Sequence, residues 1–393
     1  TEEASEVITE LDENIREIIL NEIDKEKIVD IIDELDTDDA TDIVSDLPEN
    51  IAEHVLDNID REDSEEVKEL LKYPEDSAGG IMTSDFAYVL EDATVKDAID
   101  EVRKNADEFE HIYYIYVLKS NDELVGIVSL KKLLINSLDT KITSIMEEDL
   151  IYVKPEDDQE EVANIIEKYD LVSVPVVDDH KRMLGRITVD DVVDVIHEEA
   201  TEDIQKIAGL SEEEEISDSA FHISRIRLPW LLVSLIGEMV SATVLSSFQA
   251  SIEKIVAAAL FIPIVMAMGG SSGQQAAIVM VRGLIKKDIW LSEGFGKILK
   301  EFRVAMLNGF ICASVLFVTT HFLFKVDWSF SLVLSSSLII IMTFATIIGA
   351  TIPVIFKRFG VDPAIATGPI VATTNDIFGL LIYLSLVTLF FVT

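Results

Sequence analysis

The apolar and polar positions divide this chain into three regimes. In residues 1 to 75 apolar side chains recur at helical spacing, as in Leu11, Ile15, Ile18, Ile19, Ile23, Ile28, Ile31, Ile32 and Leu35, which predicts short amphipathic helices stacked in pairs. Residues 82 to 196 contain a weak internal repeat of about 60 residues, seen by laying Met82 on Met146, Val89 on Val153 and Gly126 on Gly185. Each copy reads helix, strand, strand, helix, with strands expected at 112–118, 124–130, 172–178 and 183–189. Beyond residue 228 come five apolar stretches, 229–248, 255–281, 304–324, 329–356 and 364–391, each long enough to cross a bilayer as a helix. The expected fold is therefore multidomain: an all-α superhelical N-terminal domain, an α+β repeat pair and an α-helical transmembrane domain with five spans per subunit.

Charge follows the same division. The chain is 49% apolar yet carries a formal net charge of −42. Residues 225 to 393 hold 12 Lys+Arg and 8 Asp+Glu, which leaves 19 basic and 65 acidic residues, a net of −46, for residues 1 to 224. So acidic a surface repels phosphate backbones and anionic headgroups, which argues against nucleic acid as a partner and makes cations the natural one. The only cysteine, Cys312, lies in an apolar stretch, so there is no disulfide framework and a reducing compartment is expected for the soluble half. Because the first long apolar stretch begins near Pro229, no cleavable signal peptide is expected within these residues. Residues 1 to 75 show no catalytic constellation and no phosphate-binding glycine loop, so no enzyme is expected.

The basic residues between the spans set the orientation. Arg225 and Arg227 precede the first span, Arg282, Lys286, Lys287, Lys297, Lys300 and Arg303 separate the second from the third, and Lys357 and Arg358 separate the fourth from the fifth. The other two loops have one each, Lys254 and Lys325. The positive-inside rule then puts the N-terminal domains in the cytoplasm and the C-terminus outside a plasma (inner) membrane. Leu284, Ile285, Ile289, Trp290, Leu291, Phe295, Ile298, Leu299 and Phe302, interleaved with lysines, predict a helix lying at the cytoplasmic interface.

Two acidic residues fall inside spans, where a charge is costly and usually functional. Asp376 lies among Thr373, Thr374 and Asn375, bracketed by Gly368, Pro369 and Gly379, an oxygen-rich setting suited to a hard cation. Glu238, in the first span, has fewer oxygen-bearing neighbours. In the second span Gly269, Gly270 and Gly273 precede Gln274 and are expected to loosen the helix and free carbonyls toward a pore. From Asp190 onward a helix is expected on which Asp191, Asp194 and Glu198 share one face and Glu199, Glu202 and Asp203 a neighbouring one, a like-charge pattern that calls for cations or a basic partner.

The paired units resemble a cystathionine-beta-synthase (CBS) domain pair. The segment GRITVDD (185–191) is similar to that family's closing motif, which implies that Thr188 and Asp191 could hold the ribose of an adenine nucleotide such as ATP, while the first copy has Lys132 in place of the carboxylate. Over essentially the whole chain, RIRLPWLL (225–232), MAMGG with SSGQQ in the second span and DPAIATGPIVATTND (362–376) resemble the MgtE family of magnesium channels. The resemblance implies a helical N-terminal domain at 1–75, a CBS pair at 76–196 (76–138 and 139–196), an acidic connecting plug helix at 197–226 and a transmembrane domain at 227–393. It further implies a homodimer with its pore on the two-fold axis, Asp376 binding hydrated Mg2+ from both subunits, and regulatory Mg2+ bridging the soluble domains. Asp191, Asp194, Glu199, Glu202 and Asp203 match the plug acids and Asp170 matches a CBS acid, with Asp38, Asp39 and Asp42 suggested by their clustering. The chain departs from the family pattern where Ser271 and Gln274 replace asparagines and where Glu238 adds a carboxylate. Two alternatives stay open at this point: a transporter of Mn2+, Fe2+ or Co2+ with the same fold, and a membrane-anchored CBS sensor.

Overall fold

The computed structural model describes residues 2–9, 11, 13–106, 109, 111–210, 219–285 and 294–392, which form two units, Thr1–Glu199 and Ala200–Thr393. The first unit opens with six short helices: α1 (Glu2–Thr9), α2 (Glu13–Glu22), α3 (Lys25–Ile32), α4 (Thr37–Asp46), α5 (Glu49–Leu56) and α6 (Arg61–Leu70). Helices of that length are unstable alone, so they persist by pooling apolar faces. Leu20, Ile28, Ile32, Ile43, Val44, Val55 and Val67 make that common core.

The repeat follows. β1 (Tyr88–Leu90), α7 (Val95–Lys104), β2 (Tyr114–Leu118), β3 (Leu124–Ser129) and α8 (Leu130–Ile135) form the first copy. α9 (Gln159–Tyr169), β4 (Ser173–Val177), β5 (Met183–Thr188) and the start of α10 (Val189–Ala208) form the second. Strands β2 and β3 pair antiparallel, as do β4 and β5, in the expected places. The unexpected strand is β1, which pairs parallel to β2, and its counterpart in the second copy is a single parallel bridge from Val153 to Val176. The copies lock reciprocally. A Cβ added at Gly126 would lie 2.7 Å from the Met146 sulfur, and one added at Gly185 would lie 3.1 Å from the Met82 sulfur, so each copy's methionine fills the other's glycine gap. Tyr116 of β2, fully buried, shares a 3.1 Å hydrogen bond with Ser173 of β4.

The second unit holds the last turns of α10, then α11 (Ala220–Ser247), α12 (Gln249–Lys254), α13 (Val256–Ile285), α14 (Gly294–Val318) with a π-helical turn to Leu323, α15 (Trp328–Arg358) and α16 (Pro369–Phe391). Five of these are long and apolar enough to cross a membrane. The core lies where α13, α15 and α16 meet, around Phe261, Val265, Leu334, Leu338, Ile341 and Tyr383.

Three features differ from expectation. The second span is not loosened at its glycines, because α13 runs unbroken through Gly269, Gly270 and Gly273. Instead the missing side chains let helices touch: a Cβ at Gly269 would lie 2.4 Å from Asn375 Oδ1, and one at Gly349 would lie 2.1 Å from the Gly273 carbonyl oxygen. Small residues permit close approach without breaking hydrogen bonds that hydrocarbon could not replace. Next, no separate interfacial helix precedes the third span among the described residues. Phe295, Ile298, Leu299 and Phe302 belong to α14 and Leu284 and Ile285 to α13, where Ile298 and Leu284 pack with Ala350 and Val354. Lys286, Lys287, Ile289, Trp290 and Leu291 lie outside the described residues. Finally, the acidic connecting segment is not one helix. α10 stops at Gly209, whose φ of +89° suits a residue without Cβ, and the bonds from Leu210 N–H to the Gln205 carbonyl and from Gly209 N–H to the Lys206 carbonyl close the turn. Arg225 and Pro229 already belong to α11.

The glycine contacts predict a local difference in tolerance. Gly349→Ala should destabilise the spans by about 1–3 kcal/mol, whereas Gly296→Ala, which meets nothing within 4 Å, should be neutral or slightly stabilising. Thermal unfolding of the two variants in detergent measures the contrast, and equal melting temperatures would contradict the α13–α15 packing.

Candidate ion site

Asp376 sits two turns into α16 and stays partly exposed. Glu238 of α11 lies beside its carboxyl. Glycine brings these helices together, since a Cβ at Gly237 would lie 2.0 Å from Thr373 Cγ2. Asn375 points the other way, into the α13–α16 seam, and is 3% exposed. Its Nδ2 donates to the Met266 carbonyl and to Asp376 Oδ1, both at 3.2 Å, which holds the carboxylate in place, and its Oδ1 is buried without a hydrogen-bond partner.

Not every expected residue joins this group. Thr373 and Thr374 are half-buried beside it, but Gly368 lies at the foot of α16, about 12 Å away along the helix, where it meets the Ile207 carbonyl. On α13, Gly269 and Gly270 abut Asn375, whereas Ser271, Gln274 and Gln275 are exposed. Two carboxylates and an amide stripe at membrane depth cannot face lipid cheaply, so this flank of the bundle belongs against water or protein. Among the described residues no three His, Cys, Asp or Glu side chains converge as a ready-made metal cage. A magnesium ion needs none, because it keeps most of its water and takes one or two carboxylates.

The soluble acids separate into groups. The Thr37 hydroxyl hydrogen-bonds Thr83 and Ser84, and its N–H donates to Asp85, which ties the start of α4 to the loop before β1. Arg186 of β5, 4% exposed, grips the same loop through the Asp85 carbonyl at 2.7 Å and also bonds the His111 carbonyl. Asp38 is thereby brought toward Asp191. Its Oδ1 is buried without a hydrogen-bond partner, and burial, followed by the carboxylates of Asp191, Asp39 and Asp36, pushes its pKa well above the usual carboxylate range. Asp191 accepts both the N–H and the hydroxyl of Thr188, at 3.0 and 2.7 Å, so these two residues cap α10. Asp170 caps α9 in a left-handed conformation and is exposed, as is Asp194. Glu199 accepts from Gln159 at 2.9 Å. Glu202 is bound by a residue the sequence reading passed over: Lys206 Nζ lies 2.6 Å from Glu202 and 3.0 Å from Asp362, in the loop before α16. Partial burial works against this ammonium, but the two carboxylates outweigh it and hold its pKa above the usual lysine value. Half of the triad was legible, because Glu202 and Lys206 stand four apart on one helix face.

Comparison with known proteins agrees with this layout. Residues 1–76 match the profile of the MgtE intracellular N domain, 78–139 and 142–198 match CBS domains, and 262–386 match the MgtE profile described as a divalent cation transporter. The Magnesium transporter MgtE of Bacillus subtilis (strain 168) is 35% identical over 99% of this chain and 86% of its own length. This chain belongs to the MgtE family. The Magnesium transporter MgtE of Thermus thermophilus is 37% identical over 82% of this chain and 72% of its own. A solved cytosolic domain of the Mg2+ channel MgtE in complex with ATP is 35% identical, covering 49% of this chain and 79% of that one with a TM-score of 0.48. Membership explains the architecture, and the particular carboxylates above are this chain's own geometry.

The buried Asp38 charge gives a pH dependence with a definite sign. A carboxyl whose folded pKa lies above its unfolded value favours the fold while protonated, and that contribution is lost as pH rises through the folded value. Without divalent ions the melting temperature should therefore fall as pH rises above the usual carboxylate range. Added Mg2+ should flatten that slope, and Asp38→Asn should do so too, raising the melting temperature of the metal-free protein. Parallel melting curves for parent and variant in chelator would remove Asp38 from this account.

Proposed function

We propose that this chain is a magnesium channel or transporter whose ion passes Asp376 and whose acidic cytoplasmic domains sense the same ion. The observation that carries the reading is the Asp376 carboxylate, partly exposed at membrane depth and held by Asn375. A mere anchor for a sensor needs no such group, and the relatives' names speak for magnesium over a transition metal. The first span supports a homodimer. Only 11% of its most apolar window is buried, against 44% for the fourth, and its outward flank includes Glu238, so a second copy across a two-fold axis would cover what lipid cannot. Two Asp376 carboxylates would then face one hydrated ion, whose charge offsets their repulsion while its water is retained. The basic residues flanking the spans favour cytoplasmic N-terminal domains and an external C-terminus.

Regulation follows from repulsion. With a net of −46 the soluble half and its connecting segment repel themselves, and Asp38 with Asp191 and Asp39, and Asp42 beside Asp39, offer divalent ions a place to relieve that strain. At high internal magnesium the bridged, compact form closes the path, and as ions leave the acids separate.

Flux into dye-loaded liposomes tests the ion path. Asp376→Asn, which keeps size and hydrogen bonding, should fold yet lose Mg2+ flux at least ~tenfold. Glu238→Gln should keep Mg2+ flux and shift the ranking of Mg2+ against Mn2+, since fewer carboxylates favour the ion that stays hydrated. Normal flux in a well-folded Asp376→Asn protein would put the ion elsewhere.

A further inference from the structure

The end of α10 and the start of α16 are built as one joint. Lys206 stands in the last turn of α10, where an ammonium also complements the helix dipole. Its Nζ is held between Glu202 at 2.6 Å and Asp362 at 3.0 Å, with all three side chains partly sheltered. Asp362 is itself fixed, because its other oxygen accepts the Ala364 N–H at 2.8 Å. One residue beyond Lys206, the Ile207 carbonyl, an acceptor left open by the end of the helix, takes the Thr367 hydroxyl at 3.2 Å. Thr367 is 2% exposed. Gly209, in its left-handed turn, then lies flat on Pro369, the first residue of α16, where a Cβ would approach to 3.1 Å. A carbonyl-rich helix end thus meets the amide-rich start of another, a favourable alignment of dipoles.

From these contacts we infer that Lys206 is a positioning residue for ion permeation: its ammonium clasps Glu202 to Asp362 and so couples the acidic helix to the start of the fifth span, about 10 Å along that helix from Asp376. The joint carries its own cation. The single ammonium offsets one of the two carboxylate charges and never dissociates from the chain, so Glu202 and Asp362 are already bridged without a divalent ion. Magnesium sensing then falls to acids outside the clasp, such as Asp38 and Asp191, and Lys206 passes their state to α16. A lysine suits this task because its compact charge on a flexible stem follows a moving helix end.

The inference rests on the regulated ion path proposed above, and the test separates the two. Full-length protein in liposomes is assayed for Mg2+ flux against internal Mg2+, and in parallel for Mg2+ protection of residues 1–199 from proteolysis. Lys206→Met keeps the stem and removes the charge. It should leave protection at the parent's Mg2+ concentrations while the Mg2+ needed to close the path rises at least ~tenfold. Asp362→Asn should give the same split from the other side of the clasp. Lys206→Arg, and the reversal pairing Lys206→Glu with Asp362→Lys, should restore closure, which a purely packing role would not produce. Parent-like closure in both Lys206→Met and Asp362→Asn would overturn the inference, as would a folded reversal that fails to rescue. If the parent itself is not closed by Mg2+, the regulatory reading falls first, and if Asp376→Asn conducts normally, the ion path does.

Discussion

A carboxylate at membrane depth has few stable surroundings, and in this protein that restriction organises the spans. Asp376 can face neither hydrocarbon nor a dry core without a counter-charge, so the bundle leaves it partly exposed and steadies it from one side only. Asn375 does the steadying, at the expense of a buried and unpaired Oδ1 of its own. Glu238 brings a second charge to the same flank. Each of these placements is tolerable only if water, a cation or another protein surface completes it.

Close helix approach makes the arrangement possible. Gly237 admits Thr373, Gly269 admits Asn375, and Gly349 admits the Gly273 backbone, so three helix pairs meet at distances that a methyl group would forbid. Packing of this kind replaces the hydrophobic driving force that lipid cannot supply between helices. It also leaves the helices intact, and Ser271, Gln274 and Gln275 of α13 are exposed on a continuous helix.

The soluble half faces the same electrostatic problem with different means. Burial of Asp38 beside Asp191 stores repulsion, whereas Glu202 and Asp362 are relieved by Lys206. Asp38 thus has no basic side chain among the causes that set its charge, whereas Glu202 and Asp362 have Lys206.

Sequence alone determined the number of spans, the segregation of charge, the repeated α+β units and the presence of Asp376 within a span, because each rests on local composition or periodicity. Family motifs reached the same architecture independently. What the glycines of the second span do could not be settled locally, since a helix break and a helix contact both call for a missing Cβ, and only Asn375, Ala345 and Gly349 on neighbouring helices decide between them. β1 escaped notice because three residues carry no usable alternation and its pairing with β2 is parallel and non-local. Likewise Glu202 and Lys206 were visible as a helical pair, but Asp362, far along the chain, joins them only through the fold. Short-range order was thus written in periodicity, whereas the electrostatic partnerships of the acids depended on which distant elements the tertiary structure brought within a few ångströms.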